Sequence, residues 1–136
     1  MINLSSEDIT SKNLVIRVDM NVPIKDGIVL DSTRIEACIP TIMFALNHGA
    51  RILLISHLGR PTEGSFDEKF SLKPVAESLS KIINMSCEVI DDLESEHIFK
   101  SESVIQVLEN IRFFKGEKEN CQDLGYKLAN LGDIYV

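Results

Sequence analysis

Asp19 and Asn21 stand at the end of an apolar, β-branched run, in the stretch RVDMNVP at positions 17–23. A carboxylate and an amide are costly to bury without partners. A strand that ends on them either caps its own turn or faces something that binds there. Similar junctions recur along the chain. ISHLGRP places His57 and Arg60 around Gly59, CEVIDD ends on Asp91 and Asp92, and VLENIRFF carries Glu109, Asn110 and Arg112. Arg34 opens a helical pattern after DST. Arg34, His57, Arg60 and Arg112 together make four potential cations beside an acid and an amide. Arginine's planar fork takes phosphate or carboxylate in a bidentate way, so this set suits a small phosphorylated acid. A hydrogen bond to a charged group contributes about 1.5–3 kcal/mol. Three or four of them suffice for micromolar affinity after the costs of association.

Each residue also has a plain structural reading. Asp19 and Asn21 can form an Asx-turn before Pro23. His57 can be a satisfied histidine at a strand end, and Arg60 before Pro61 an ordinary turn. Arg34 can pair with Glu36 or Asp31 on the surface, a weak interaction. Arg112, beside two phenylalanines, can snorkel over apolar surface, and Asp91 and Asp92 can be a solvated strand end or a helix cap. What these readings leave unexplained is the placement of all the residues on one edge.

That edge follows from the elements. Residues 13–19 (NLVIRVD) read as a first strand and 27–31 as a short extended turn. From Thr33 to about His48, apolar residues recur at three- and four-residue spacing, which predicts a helix. Asp31 or Ser32 can cap it and Gly49 can end it, while Pro40 inside it should kink it or distort its ladder. Residues 51–57 (RILLISH) form a near-continuous apolar run, suited to a strand covered on both faces. A long loop follows, of a kind often functional in compact domains. Residues 72–84 predict a second helix, with Ser71 as a cap and Pro74 tolerable in its first turn. Strands are expected at 87–92 and 103–110, a helix at 120–132 and a further strand from 133. Strands alternating with helices imply right-handed βαβ crossovers and a mainly parallel sheet, a Rossmann-like three-layer α/β/α arrangement. Ligands of such sheets bind at the carboxyl ends of the strands, where the residues above stand.

Composition narrows the classes. The chain has 136 residues, 44% apolar and 26% charged, with a formal net charge of −7. This is ordinary globular composition for one domain. The acidic balance argues against a nucleic-acid footprint, though a local cation cluster can still hold a small anion. No apolar run approaches a membrane span, and the start has no secretory pattern, so a cytoplasmic location is expected. Cys38, Cys87 and Cys121 form no C-x-x-C pair and suggest neither a disulfide framework nor a zinc site. Dinucleotide and P-loop fingerprints are absent. The final DIYV lies in an apolar run with no cap or turn, so the chain is expected to be the first part of a longer protein.

Four ordered segments, RVDMNVP, DSTRIEACIPTI, ISHLGRP and VLENIRF, resemble the N-terminal domain of phosphoglycerate kinase, and LANLGDIYV resembles the family's approach to its next substrate loop. The likeness runs from about Leu14 to Val136. Met20 departs from the Phe or Leu common in the family. The resemblance implies an incomplete N-terminal domain of a two-domain kinase. Its reaction is reversible phosphoryl transfer between 1,3-bisphosphoglycerate and ADP, giving 3-phosphoglycerate and ATP. It implies that Asp19 and Asn21 orient the hydroxyl and carboxyl end of 3-phosphoglycerate. His57, Arg60 and Arg112 would hold its non-transferred phosphate, and Arg34 would stabilise the phosphoryl group in flight as the catalytic cation. Met20, Leu58 and Gly59 complete the implied substrate-binding set. Mg-ATP or Mg-ADP would be bound by a C-terminal domain outside this chain, and no metal ligand is expected within it. The complete protein is expected to be a monomer, and the fragment alone to lack turnover and to self-associate through its exposed strand edge. A competing reading is a receiver-type signalling module with Asp19 and Asp91 as its acidic pocket. It leaves the three arginines without a role.

Overall fold

The structure, a computed structural model, describes residues 9–59, 66–93, 95–113, 127–128 and 130–136, with the side chain of residue 112 outside the description. Its centre is a five-stranded sheet made of β1 (Asn13–Arg17), β4 (Arg51–Ile55), β5 (Cys87–Ile90), β6 (Ile105–Leu108) and β7 (Ile134–Tyr135). The strand order is β5-β6-β4-β1-β7 and every pairing is parallel. Where residues 27–31 read from sequence as a short extended turn, residues 24–29 form a small antiparallel hairpin of β2 (Ile24–Lys25) and β3 (Ile28–Val29). Asp26 and Gly27 at its tip both have positive φ, the conformation that a tight hairpin turn demands.

The apolar runs sort by the two-residue period of a strand. Leu14 and Ile16 of β1, Ile52 and Leu54 of β4, and Ile105 and Val107 of β6 pack into one core. Val15, Leu53, Ile55 and Leu108 pack into a second core on the opposite face. The near-unbroken RILLI is therefore apolar because both of its faces are covered. The first core is closed by α1 (Thr33–Asn47) through Ile35, Cys38, Ile42 and Ala45, and by α2 (Lys73–Ile83) through Val75, Ala76 and Leu79. The second is closed by Ile98, Phe99, Ile111 and Leu128.

Handedness accounts for this division. The chain steps from β1 to β4 to β5 in one direction across the sheet, and right-handed crossovers put both helices on one face. It then reverses to reach β6 and β7, and Ile98, Phe99, Ile111 and Leu128, the described buried residues of those connections, lie on the other face. The segments leaving β4 and β6 thus depart to opposite faces, the arrangement that opens a crevice at the carboxyl ends of neighbouring strands.

The helices differ from expectation at their ends. Pro40 lies within α1 without interrupting it. It sits on the exposed side, where water can satisfy the carbonyl that lacks its N–H partner. Ser32 occupies the cap position but Asp31 does the capping. Asp31 Oδ1 accepts from the Thr33 N–H at 2.9 Å and from its hydroxyl at 2.6 Å. These two bonds hold the Asp31 carboxyl below the usual carboxylate range. The predicted helix over 120–132 falls mainly outside the described residues, as does Cys121. Cys38 and Cys87 are free thiols, and burial pushes Cys87 up to about 11. Among the described residues no helix is long and apolar enough to cross a membrane.

Candidate active site

The rim at the carboxyl ends of β1 and β4 is tied together by polar contacts between segments far apart in sequence. Beyond β1, the Met20 N–H donates to Ser56 Oγ at 2.9 Å. Met20 is fully buried, main chain included, and its N–H is taken up by Ser56. Asp19 Oδ1 accepts from the Asn21 N–H at 3.1 Å, the Asx-turn considered from sequence. The turn does not use up the carboxylate, whose side chain is 63% exposed. Arg34, in the first turn of α1, reaches the same place. Its Nη1 donates to the Asn21 carbonyl at 2.9 Å and lies 3.4 Å from Asp19 Oδ1. Asp19, rather than Glu36 or Asp31, is its ion-pair partner among the described residues.

Arg34 separates two clefts. One, of about 590 Å³, is lined by Asn21, Val22, Pro23, Asp31, Thr33 and Arg34. The other, of about 290 Å³, is lined by Val18, Asp19, Arg34, Ala37, Cys38 and Thr41. In the second, burial and then the Asp19 charge push the Cys38 thiol pKa up, which argues against a reactive thiolate.

The segment after β4 carries His57, half-buried, with Leu58 and Gly59. Gly59 adopts φ +60°, and a Cβ there would come within 2.4 Å of the Phe70 ring. Glycine meets both demands, the left-handed backbone and the close approach. Its N–H donates to Asn21 Oδ1 at 3.1 Å. Asp19, Asn21, Arg34 and residues 57–59 are therefore gathered on one edge. Arg60 lies outside the described residues, and so does the side chain of Arg112. The backbone of Arg112 belongs to a 3₁₀ turn, Ile111–Phe113, directly after β6. That turn is tied back to β4 by the Ile111 N–H, which donates to the Ser56 carbonyl at 3.0 Å.

Behind the rim sits a buried network that no single motif indicates. Glu109, at 2% exposure, accepts from the Ser71 hydroxyl at 2.8 Å, the Leu72 N–H at 2.6 Å and the Asn110 N–H at 3.1 Å. It thereby caps α2 from across the sheet, beside Ser71, whose Oγ accepts from the Lys73 N–H at 3.2 Å. Asn110, fully buried, donates to the Leu58 carbonyl at 2.7 Å and the Phe70 carbonyl at 2.9 Å. Glu109 and Asn110 were visible in sequence as polar residues at a strand end. Ser71 was legible as a cap of the second helix, Ser56 only as a small polar residue beside an apolar run.

The strand order bears on the receiver reading. β5, which ends before Asp91, is separated from β1 by β6 and β4. Three strand spacings put the two ends roughly 14 Å apart, too far for Asp19 and Asp91 to share one acidic pocket.

Comparison with known proteins agrees with the fold. The family model described as phosphoglycerate kinase matches residues 4–136. The chain is 47% identical over 136 residues to the phosphoglycerate kinase of Francisella tularensis subsp. novicida, covering 99% of this chain and 34% of that one. It is 46% identical over 129 residues to that of Desulfovibrio desulfuricans, covering 95% and 33%. Among solved structures, the phosphoglycerate kinase from Coxiella burnetii superposes with a TM-score of 0.89 at 40% identity, over 98% of this chain and 34% of that one. The enzyme from Pyrococcus horikoshii gives 0.81 at 28% identity, over 99% and 36%. The chain thus spans about a third of the length of the relatives it matches. Over that third, sequence and backbone agree nearly from end to end, and the chain belongs to the phosphoglycerate kinase family.

Proposed function

We propose that these residues form the 3-phosphoglycerate-binding part of a phosphoglycerate kinase, which transfers a phosphoryl group reversibly between 1,3-bisphosphoglycerate and ADP. The reading is carried by one observation: in a chain of this family, Arg34 is fastened to the Asp19–Asn21 turn at the strand ends and lines the cleft beside it. Phosphoryl transfer asks a protein chiefly for positioning and for cations around spread negative charge. Asp19 and Asn21 orient the hydroxyl and carboxyl end of the substrate. Asn21 Oδ1 is engaged by Gly59, which directs its NH₂ group to act as the donor. His57, Arg60 and Arg112 hold the distal phosphate, with the main chain of Leu58 and Gly59 beside it. Arg34 stabilises the phosphoryl group as it moves.

Among the described residues no group of three or more His, Cys, Asp or Glu could hold a metal ion. By resemblance to the family, the magnesium-nucleotide is assigned to a second domain, whose closure brings the reactants together. The complete kinase acts as a cytoplasmic monomer.

Calorimetric titration with 3-phosphoglycerate tests the reading. Saturable binding that weakens on Arg34→Ala is expected. Absence of saturable 3-phosphoglycerate binding would overturn the reading. ATP formation by these 136 residues alone, in a coupled assay, would overturn the division between two domains.

A further inference from the structure

The Leu58–Gly59 peptide is held at both of its polar ends by asparagine side chains from two other strand ends. Its carbonyl accepts from Asn110 Nδ2 at 2.7 Å, and its N–H donates to Asn21 Oδ1 at 3.1 Å. One asparagine follows β1, the other follows β6, and the peptide itself follows β4, which lies between those strands in the sheet. The same Asn110 amide donates to the Phe70 carbonyl at 2.9 Å, and the Phe70 ring covers the α-carbon of Gly59. A peptide unit has one soft rotation on each side. Fixing its carbonyl and its N–H fixes the plane, and with it the setting of His57 before it.

We propose that Asn110 is a positioning residue for substrate binding: together with Asn21 it sets the plane of the Leu58–Gly59 peptide, and so the placing of the His57–Gly59 segment against the substrate's distal phosphate. This rests on the function proposed above. Asn110 touches no substrate. It lies behind the loop at 0% exposure and acts through the Leu58 carbonyl. Only a side-chain amide of this length serves, because both partners are carbonyls and require two N–H donors on one nitrogen. Aspartate has the same shape and no donor when ionised, and would set a carboxylate against two carbonyls.

The test compares the complete protein with its Asn110→Asp form. Expected is a loss of 3-phosphoglycerate affinity of about tenfold or more, as a displaced binding loop produces. The nucleotide KM should stay within about twofold, since uniform binding of the other substrate is untouched. Leu79→Ala, a core change in α2, serves as the control: it lowers the melting temperature and leaves 3-phosphoglycerate affinity in place. Undiminished affinity in folded Asn110→Asp, or an equal loss in Leu79→Ala, overturns the proposal. Where Asn110→Asp does not fold, Asn110→Ser, which keeps one donor, takes its place with the same criteria.

Hydrogen exchange gives a readout that needs neither substrate nor variant. The Gly59 amide should exchange about a hundredfold more slowly than an open loop amide, and exchange at the open-loop rate sinks the clamp. A wild-type protein that does not bind 3-phosphoglycerate would remove the proposed function, leaving the clamp to be judged on the Gly59 amide.

Discussion

Arg34 is anchored to the Asn21 carbonyl, at 2.9 Å, more closely than to the Asp19 carboxylate, at 3.4 Å. The main-chain contact orients the guanidinium without neutralising it. The ion pair is solvent-exposed on both sides, at 56% and 63%, and such pairs contribute about 0–1 kcal/mol. The cation is therefore available for a ligand at little expense to the fold.

Arg34→Ala should then separate activity from stability. In the complete kinase, kcat is expected to fall about a thousandfold, the scale of a cation that meets phosphoryl charge in the transition state. The melting temperature should hardly move. Arg34→Lys should restore little, because a point charge cannot reproduce the fork that contacts carbonyl and ligand together. Steady-state kinetics alongside thermal melting reads both, and near-normal kcat in the alanine variant would end the assignment.

Gly59→Ala should be costly despite being a one-carbon change. The new methyl would meet the Phe70 ring at 2.4 Å with the backbone at φ +60°. Left-handed strain and overpacking together are expected to cost about 2–3 kcal/mol. Phe70→Leu should recover part of that loss, so the pair is non-additive. Denaturant midpoints of the two single variants and the double variant measure the coupling, and simple additivity would mean the ring is not the obstacle.

Asp31 gives a pH signature. Its carboxyl is held low by the Thr33 hydroxyl and N–H, so the folded pKa lies below the unfolded one. The contribution is then present above the unfolded value and lost as pH falls through the folded one. The stability gap between wild type and Asp31→Ala should be open at neutral pH and narrow as pH drops below 3.8. Melting curves across that range decide it; a gap that does not narrow would mean that the neutral carboxyl caps α1 as well as the ionised one.

What was legible in the sequence divides along sequence distance. RILLI announced a strand buried on both faces, and the structure assigns its alternate residues to two cores. The helices over Thr33–Asn47 and Lys73–Ile83 follow from periodicity, because packing on one face writes itself into three- and four-residue spacing. The strand-end polar residues could be placed on one edge because a parallel sheet puts every carboxyl end there. The hairpin at residues 24–29 was not legible, since strands of two residues are too short to show alternation. Nor was the network behind the rim. Glu109 meets Ser71 across 38 positions and Asn110 meets Leu58 across 52. No local pattern encodes such pairs, and a buried carboxylate looks in sequence like any solvated strand end.

Glu109 gives the sharpest test of that hidden network. Its carboxylate satisfies a hydroxyl and two main-chain N–H groups, all within the protein interior. Glu109→Ala strands those donors, including the one at the start of α2, and should destabilise the fold by about 3 kcal/mol. Glu109→Gln retains an acceptor for the Leu72 N–H, and the Ser71 hydroxyl can turn to accept from the new amide. About 1 kcal/mol is expected there. Urea midpoints at unchanged slope would establish the order, with alanine well below glutamine. Equal losses in the two variants would show that Glu109 serves by its volume rather than by its accepting oxygens.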